Sequence, residues 1–449
     1  MSIASISFVT LGCAKNEVDS ARMKRNLRSA GFAICDDPAT CDVVIVNTCC
    51  FIQAATEESI EAIFNATEAE NVLSGDTQVV VAGCMPARYG QDLESELSEV
   101  KSFIPCSKED DIVELMSAIL PEDKLPSFPD NASLVPEAAI APDFAGETAH
   151  CAYVKISDGC DRMCSYCTIP SIRGRYHSFT YEDIRSEVAL CVESGIKEIT
   201  LIAQDTGRWG RDFSPRSSLA WLMDQLAEEF SETWFRVMYI QPEGITDELL
   251  SVIAKHDNIC SYLDLPLQHV DPEVLRAMNR KGSADQFLEL IEHIRTMIPG
   301  VTLRTTFIAG FPGETDQDFD QLLDFVSEAC FDYVGVFPYS QEDGTKAAEL
   351  PGQIDEDLKV ARAQELRDMA DSVSATVVAS RVGTECPVLV LGEEEDGQLF
   401  GRTQSQAPDV DGSTFVDAGE PGSIVNARIV DTMFYEMEAE VMGDVVDPE

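Results

Sequence analysis

Short β-branched apolar runs alternating with amphipathic stretches organise most of this chain. In the N-terminal third, runs at 6–12, 42–48 and 78–83 have the continuous apolar character of strands buried on both faces. Each gives way to a helical pattern, at 19–30, at 56–68 and, more weakly, from Ala87. An open α/β sheet domain over 1–120 follows. Residues 121–145 then carry Pro121, Pro126, Pro129, Pro136 and Pro142 among small and acidic residues, which is linker chemistry. From 146 to 380 the alternation is regular. Strand-like runs fall near 151–157, 198–204, 234–240, 262–267, 301–309 and 333–338. Helical stretches lie between them at 181–194, 217–230, 246–256, 271–279, 284–298 and 315–329, and a polar helix over 355–380 closes the region. Six βα repeats predict a partial (β/α)6 barrel, two strands short of closure and open to a large substrate. The last segment, 381–449, changes to short strands at 388–391, 399–403, 414–416, 423–430 and 435–441 between Gly, Asp and Pro turns. That pattern predicts a small antiparallel β-barrel of the oligonucleotide-binding type.

Cysteines add chemistry to this frame. Cys160, Cys164 and Cys167 stand as Cys-x3-Cys-x2-Cys directly after the first barrel strand. Three thiolates in one loop can wrap a cubic iron–sulfur cluster and leave one iron without a protein ligand, open to a substrate or cofactor. Structural zinc wants four ligands in Cys-x2-Cys pairs, and no matching second pair follows. A second trio emerges from the strands: Cys13, Cys49 and Cys84 each follow one of the three N-terminal runs, at intervals of 36 and 35 residues. Parallel strands bring their carboxyl ends to one edge, where open α/β sheets hold ligands, so these three can converge on a second open-iron cluster. The other nine (Cys35, Cys41, Cys50, Cys106, Cys151, Cys191, Cys260, Cys330 and Cys386) share no ligand spacing and read as core or surface thiols. Gln204, Asp205 and Thr206, Gln268 and His269, and Thr305 and Thr306 stand at barrel strand ends and face the expected mouth. For His269 a hydrogen-bonding role outweighs metal ligation. The run Gly310 to Thr315 lacks the Lys-Ser/Thr of a phosphate loop and reads as a tight turn into a helix capped by Thr315.

Charge and composition narrow the setting. No apolar run is long enough to span a bilayer and no basic segment precedes an apolar signal core, so the expectation is a cytoplasmic protein with reduced thiols, and no membrane partner. A formal net charge of −48 repels phosphate backbones and favours basic partners. From Arg381 onward the sequence has three arginines, no lysine and sixteen acidic residues, the opposite of an RNA-binding face.

The Cys160/Cys164/Cys167 motif, with aromatic Tyr166 inside it, resembles the cluster motif of radical S-adenosylmethionine enzymes. Together with the Cys13/Cys49/Cys84 domain and a terminal barrel of the kind called TRAM, the whole chain resembles the radical S-adenosylmethionine methylthiotransferases. Four stretches resemble the branch that modifies a ribosomal protein: Gly12 to Ser20, Ile169 to Gly174, Gln204 to Thr206 and Gly401 to Pro408. The resemblance implies two [4Fe–4S] clusters, with S-adenosylmethionine chelated by the open iron at Cys160, Cys164 and Cys167. The cluster at Cys13, Cys49 and Cys84 would hold the sulfur to be inserted. It places Tyr166 near the adenine and suggests Gln204 and Thr305 as further cofactor contacts. The implied reaction is methylthiolation of the β-carbon of an aspartate on the twelfth protein of the small ribosomal subunit, consuming two S-adenosylmethionines. A low-potential electron donor such as flavodoxin or ferredoxin would supply electrons. The expected enzyme is a monomer that docks its basic protein substrate through the acidic terminal barrel and holds no RNA stably. A transfer-RNA adenosine methylthiotransferase and a non-catalytic iron–sulfur protein that docks on ribosomes are the alternatives. Cys50 beside Cys49 leaves open which of the two ligates, and Cys49, following Asn47-Thr48, is the expected one.

Overall fold

The computed structural model describes residues 3–126, 143–146 and 148–442. Most of the proline-rich stretch expected as a linker therefore lies outside the described residues. Two compact units divide the chain: one holds residues 1–145, 159–161 and 167–176, the other holds 146–158, 162–166 and 177–449.

In the first unit, β1 (Ser5–Thr10), β2 (Ala33–Ile34), β3 (Val43–Thr48), β4 (Gln78–Gly83) and β5 (Ser102–Pro105) form one parallel sheet in the order β2-β1-β3-β4-β5. Helices α1 (Ala14–Ser29), α2 (Gln53–Thr67), α3 (Glu70–Leu73), α4 (Cys84–Glu96) and α5 (Ile112–Ile119) complete it. Successive strand residues point to opposite faces, and both faces are buried. Val43, Ile45, Val80 and Ala82 pack with Met23, Leu27, Ile112 and Met116, whereas Val44, Val46, Val79 and Val81 pack with Ile63 and Leu93. This double burial explains the unbroken apolar runs. Sequence order reverses between β1 and β3, and the crevice at such a switch point is where doubly wound sheets bind ligands.

The second unit begins with β6 (Cys151–Lys155). A two-residue antiparallel ribbon of β7 (Ser157–Asp158) and β8 (His177–Ser178) follows, bracketing an excursion that includes α6 (Ile169–Ile172). Then come α7 (Tyr181–Glu193), β9 (Glu198–Ile202), α8 (Leu219–Glu229), β10 (Trp234–Val237), α9 (Asp247–Lys255), β11 (Tyr262–Gln268), α10 (Pro272–Ala277) and α11 (Ala284–Met297). β12 (Thr302–Ala309), α12 (Asp316–Ala329), β13 (Tyr333–Pro338) and α13 (Glu356–Ala379) end the series. Strands β6, β9 and β10 form one parallel sheet and β11, β12 and β13 another. A parallel bridge from Phe235 to Ile259 joins them, so six strands make the expected partial barrel. Thr315 caps α12 through a reciprocal capping box with Asp318, as its place before the helix predicts.

β14 (Glu385–Glu393), β15 (Leu399–Thr403), β16 (Thr414–Val416), β17 (Ile424–Met433) and β18 (Glu436–Val441) close a small barrel. One correction applies: β16 and β18 pair in parallel. A closed ring of five strands cannot alternate direction throughout, so at least one neighbouring pair must be parallel. Val388 to Leu391 share a core with Cys151, Trp234, Cys260, Tyr262 and Tyr333, which lie toward the amino ends of the partial-barrel strands. Across this junction Glu198 accepts from Arg236 (2.9 Å) and Arg402 (2.9 Å), and all three side chains are fully or almost fully buried.

Candidate functional site

The carboxyl edge of the first unit's sheet presents a row of thiols. Thr48 pairs with Gly83, and Gly83 with Pro105, so the next residue on each of three adjacent strands is a cysteine: Cys49, Cys84 and Cys106. Cys13 joins from the neighbouring β1, whose Thr10 pairs with Asn47. Two glycines make room. Gly12 has φ +93°, and a Cβ there would stand 2.4 Å from the Cys49 Cβ. Gly83 has φ +92°, and a Cβ there would stand 2.2 Å from Asn47 Oδ1. Cys13 precedes α1 and Cys84 begins α4, so both lie at helix amino ends that favour a thiolate.

Asn16 ties these strand ends together. Its Nδ2 donates to Leu11 O (3.1 Å) and Thr48 O (2.8 Å), its backbone N–H donates to Cys13 O (2.8 Å), and its Oδ1 lies 3.7 Å from Cys84 Sγ. Cys84 accepts from the Cys106 and Cys49 thiols. These bonds, in that order, together with the Arg173 charge, pull Cys84 down toward the thiolate. Their bond to Cys84, and then burial, push Cys49 and Cys106 up. Cys50 is fully buried in the core that also holds Val44, Ile63 and Val79. Among the described residues, the set of His, Cys and carboxylate groups tight enough for a single ion is Asp224, Glu228 and His256. There the Lys255 ammonium already bonds both carboxylates, at 2.7 Å and 2.9 Å. Cys13, Cys49 and Cys84 are spread more widely than one ion needs, and this all-thiolate set suits a larger iron–sulfur group.

The Cys160/Cys164/Cys167 trio lies on the excursion after β7. Cys160, whose N–H donates to Gly174 O (3.1 Å), and Cys167 fall in the first unit; Cys164 falls in the second. Within the second unit the 162–166 stretch is pinned from the loop after α10. Ser165 Oγ donates to Ala277 O (2.7 Å), and Asn279 Nδ2 donates to Met163 O (2.9 Å). Arg280 hydrogen-bonds Cys164 and lies close to Tyr166. At the end of β9, Asp205 accepts from Arg162 (2.5 Å), which also reaches Glu243 (2.9 Å). Burial pushes Asp205 up against the pull of Arg162. Three buried acceptors after β9 and β10, Gln204 Oε1, Asp205 Oδ1 and Gln241 Oε1, have no donor among the described residues. Unsatisfied buried acceptors are costly, and their grouping at strand ends suits a ligand bearing ammonium or hydroxyl donors. Thr305 is used otherwise: its Oγ1 donates to Leu265 O (2.8 Å) on β11. His269 is buried, with Nδ1 accepting from the Asp271 N–H (3.0 Å) and Nε2 3.4 Å from Glu314.

Comparison with known proteins resolves the family. Residues 154–326 match the radical SAM superfamily, 5–105 match uncharacterized protein family UPF0004, and 382–442 match the TRAM domain. The ribosomal protein uS12 methylthiotransferase RimO of Natranaerobius thermophilus is 40% identical over 98% of this chain and 99% of its own length. That of Clostridioides difficile is 39% identical, covering 98% of each. The chain belongs to the RimO family. It is therefore a radical S-adenosylmethionine methylthiotransferase, and S-adenosylmethionine and iron–sulfur clusters are its cofactors. In fold it is similar to the radical S-adenosylmethionine methyltransferase TsrM of Kitasatospora setae (TM-score 0.54, 15% identity, 75% of each chain). No helix among the described residues of this RimO-family chain is long and apolar enough to cross a membrane.

Sequence reasoning did not single out Asn16, Cys106, Arg162, Arg173 or Arg280. Asn16 and Arg173 do sit inside two of the stretches that carry the family resemblance. Cys106 follows a four-residue strand with too little pattern to be read.

Proposed function

We propose that this enzyme methylthiolates the β-carbon of an aspartate on ribosomal protein uS12, with one [4Fe–4S] cluster on Cys160, Cys164 and Cys167 and another on Cys13, Cys49 and Cys84. The observation that carries the reading is full-length similarity to RimO proteins, joined to the convergence of three strand-end cysteines at the sheet's switch point. When bound, the clusters and S-adenosylmethionine supply the radical hydrogen abstraction that an unactivated carbon requires, together with the sulfur and the methyl group. The chain's own residues bind, orient and shield. Arg280, bonded to Cys164 and near Tyr166, fixes that part of the loop beside the adenine position. Gln204, Asp205 and Gln241 offer acceptors to the cofactor's ammonium and hydroxyl donors. The thiol row at β1, β3 and β4 holds the sulfur-bearing group, and Asn16 fixes its strand ends. The terminal barrel, with three basic against sixteen acidic residues from Arg381 on, suits a basic ribosomal protein rather than RNA. We place the enzyme in the cytoplasm, as a monomer served by a flavodoxin- or ferredoxin-type donor.

The test is an anaerobic competition. The reconstituted enzyme receives S-adenosylmethionine, reductant and sulfide with equal amounts of uS12 and unmodified transfer RNA, and mass spectrometry follows both. A methylthio mass gain on the uS12 aspartate alone is expected. A gain on the RNA alone would replace this substrate with the transfer-RNA reading, and cofactor consumption without either product would replace it with another acceptor.

A further inference from the structure

Two of the stretches that carry the family resemblance, 12–20 and 169–174, are joined by one buried side chain in the first unit. The Arg173 guanidinium is 2% exposed and its partner Asp19 is fully buried. One arm donates to Asp19 Oδ2 (2.8 Å) and the other to Asn16 Oδ1 (2.8 Å). That same Asn16 oxygen lies 3.7 Å from Cys84 Sγ, while the Asn16 amide holds the ends of β1 and β3. A buried cation thus sits one side chain away from a thiol proposed as a ligand.

We propose that Arg173 is a positioning residue for the N-terminal thiolates: it fixes Asn16 and supplies the positive charge that sets how firmly the cluster at Cys13, Cys49 and Cys84 is held and how readily it is reduced. The inference rests on that cluster assignment. The physics is that net charge and hydrogen bonding around the sulfurs tune a cluster's potential. A nearby cation stabilises the more negative, reduced form. Its removal therefore makes the potential more negative. Asp19 partly neutralises the guanidinium, so its removal has the opposite effect.

The experiment uses the full chain with Cys160, Cys164 and Cys167 all changed to Ala, reconstituted with iron and sulfide so that only the N-terminal cluster loads. A redox titration followed by electron paramagnetic resonance reads its potential beside its iron content. Arg173→Gln should shift the potential to more negative values or lose iron, Arg173→Lys should restore much of it, and Asp19→Asn should shift it to less negative values. A merely structural role would not give shifts of opposite sign from the two partners of one ion pair. Unchanged potentials at equal iron content in both variants would overturn the proposal. Should Arg173→Gln fail to accumulate, Asp19→Asn decides alone, with an unchanged potential counting against the proposal. If the triple-Ala chain loads no iron at all, the cluster assignment itself falls, a failure distinct from the first.

Discussion

The two cysteine trios differ in how they are built. Cys160, Cys164 and Cys167 occupy eight consecutive residues, so the chain's covalent continuity keeps them near one another. Cys13, Cys49 and Cys84 follow three different strands, and only the register of β1, β3 and β4 brings them together. The assembled trio therefore depends on backbone details that the contiguous trio does without: two left-handed glycines, one bridging asparagine and a row of paired strand ends. A contiguous motif advertises its chemistry in its spacing, whereas an assembled one is visible only through the fold.

The most severe break separates the two jobs. Cys164→Ala should abolish S-adenosylmethionine cleavage and with it all product. Cys13→Ala should spare cleavage and abolish sulfur insertion. Quantifying 5′-deoxyadenosine and methylthiolated uS12 in parallel checks both, and normal product from Cys13→Ala would sink the two-cluster division. Next in size is Gly83→Ala. Its Cβ would stand 2.2 Å from Asn47 Oδ1 and 2.7 Å from Thr48 O at φ +92°, and such strain costs about 1–3 kcal/mol. We expect iron content to fall by the share of one cluster while cofactor cleavage persists. Full iron with normal sulfur insertion would show that the assembled site tolerates the distortion.

What the sequence disclosed follows from the same contrast. Doubly buried strands such as β3 and β4 announce themselves as unbroken apolar runs, and regular βα alternation over 151–338 gives away the partial barrel. Strand β2, with two residues, and β5, with four, are too short to set up any pattern, and Cys106 was missed with β5. Helix α1 begins at Ala14 although the apolar periodicity starts near Asp19. Its first two turns are largely polar because Asn16 faces the thiol row and Asp19 faces Arg173, so the site itself conceals the helix start. The orphaned acceptors Gln204 and Asp205 stood where strand ends predict function, but their lack of donors is a fact of packing alone.

The trios also differ in what braces their scaffold. Asn16 and thiol contacts brace the Cys13/Cys49/Cys84 trio; buried charges at the far end of the strands brace the partial barrel. Glu198 neutralises both Arg236 and Arg402, and all three are inaccessible or nearly so. Replacing it with Ala leaves two buried guanidinium groups without their shared counter-charge, a loss of about 3–5 kcal/mol. Chemical denaturation should register that loss in the second unit, with the N-terminal thiol row still able to load iron under native conditions. A loss below about 1 kcal/mol would mean that water or other acceptors satisfy the pair.

Asp411 carries the smallest and most specific test. It is fully buried, accepts from Tyr262 OH (2.5 Å) and the Ala407 N–H (2.8 Å), and lies 3.5 Å from Arg304. Burial raises its carboxyl to about 6 in spite of Arg304 and the hydrogen bond from Tyr262. Because the folded value lies above the ordinary value of 3.8, the native state holds the proton more tightly than the unfolded chain does between those two points. Its contribution to stability is therefore present below pH ~4 and is lost as the pH rises through about 6, amounting to at most about 3 kcal/mol. Repulsion among the chain's many exposed carboxylates grows over the same interval, so the quantity to measure is the difference between Asp411→Asn and the parent. Asparagine can accept both hydrogen bonds and does not ionise. The parent's stability should thus fall relative to the variant's as the pH rises from 4 to 7. A difference that stays constant over that range would show that Asp411 remains ionised throughout, held by Arg304 as a buried ion pair.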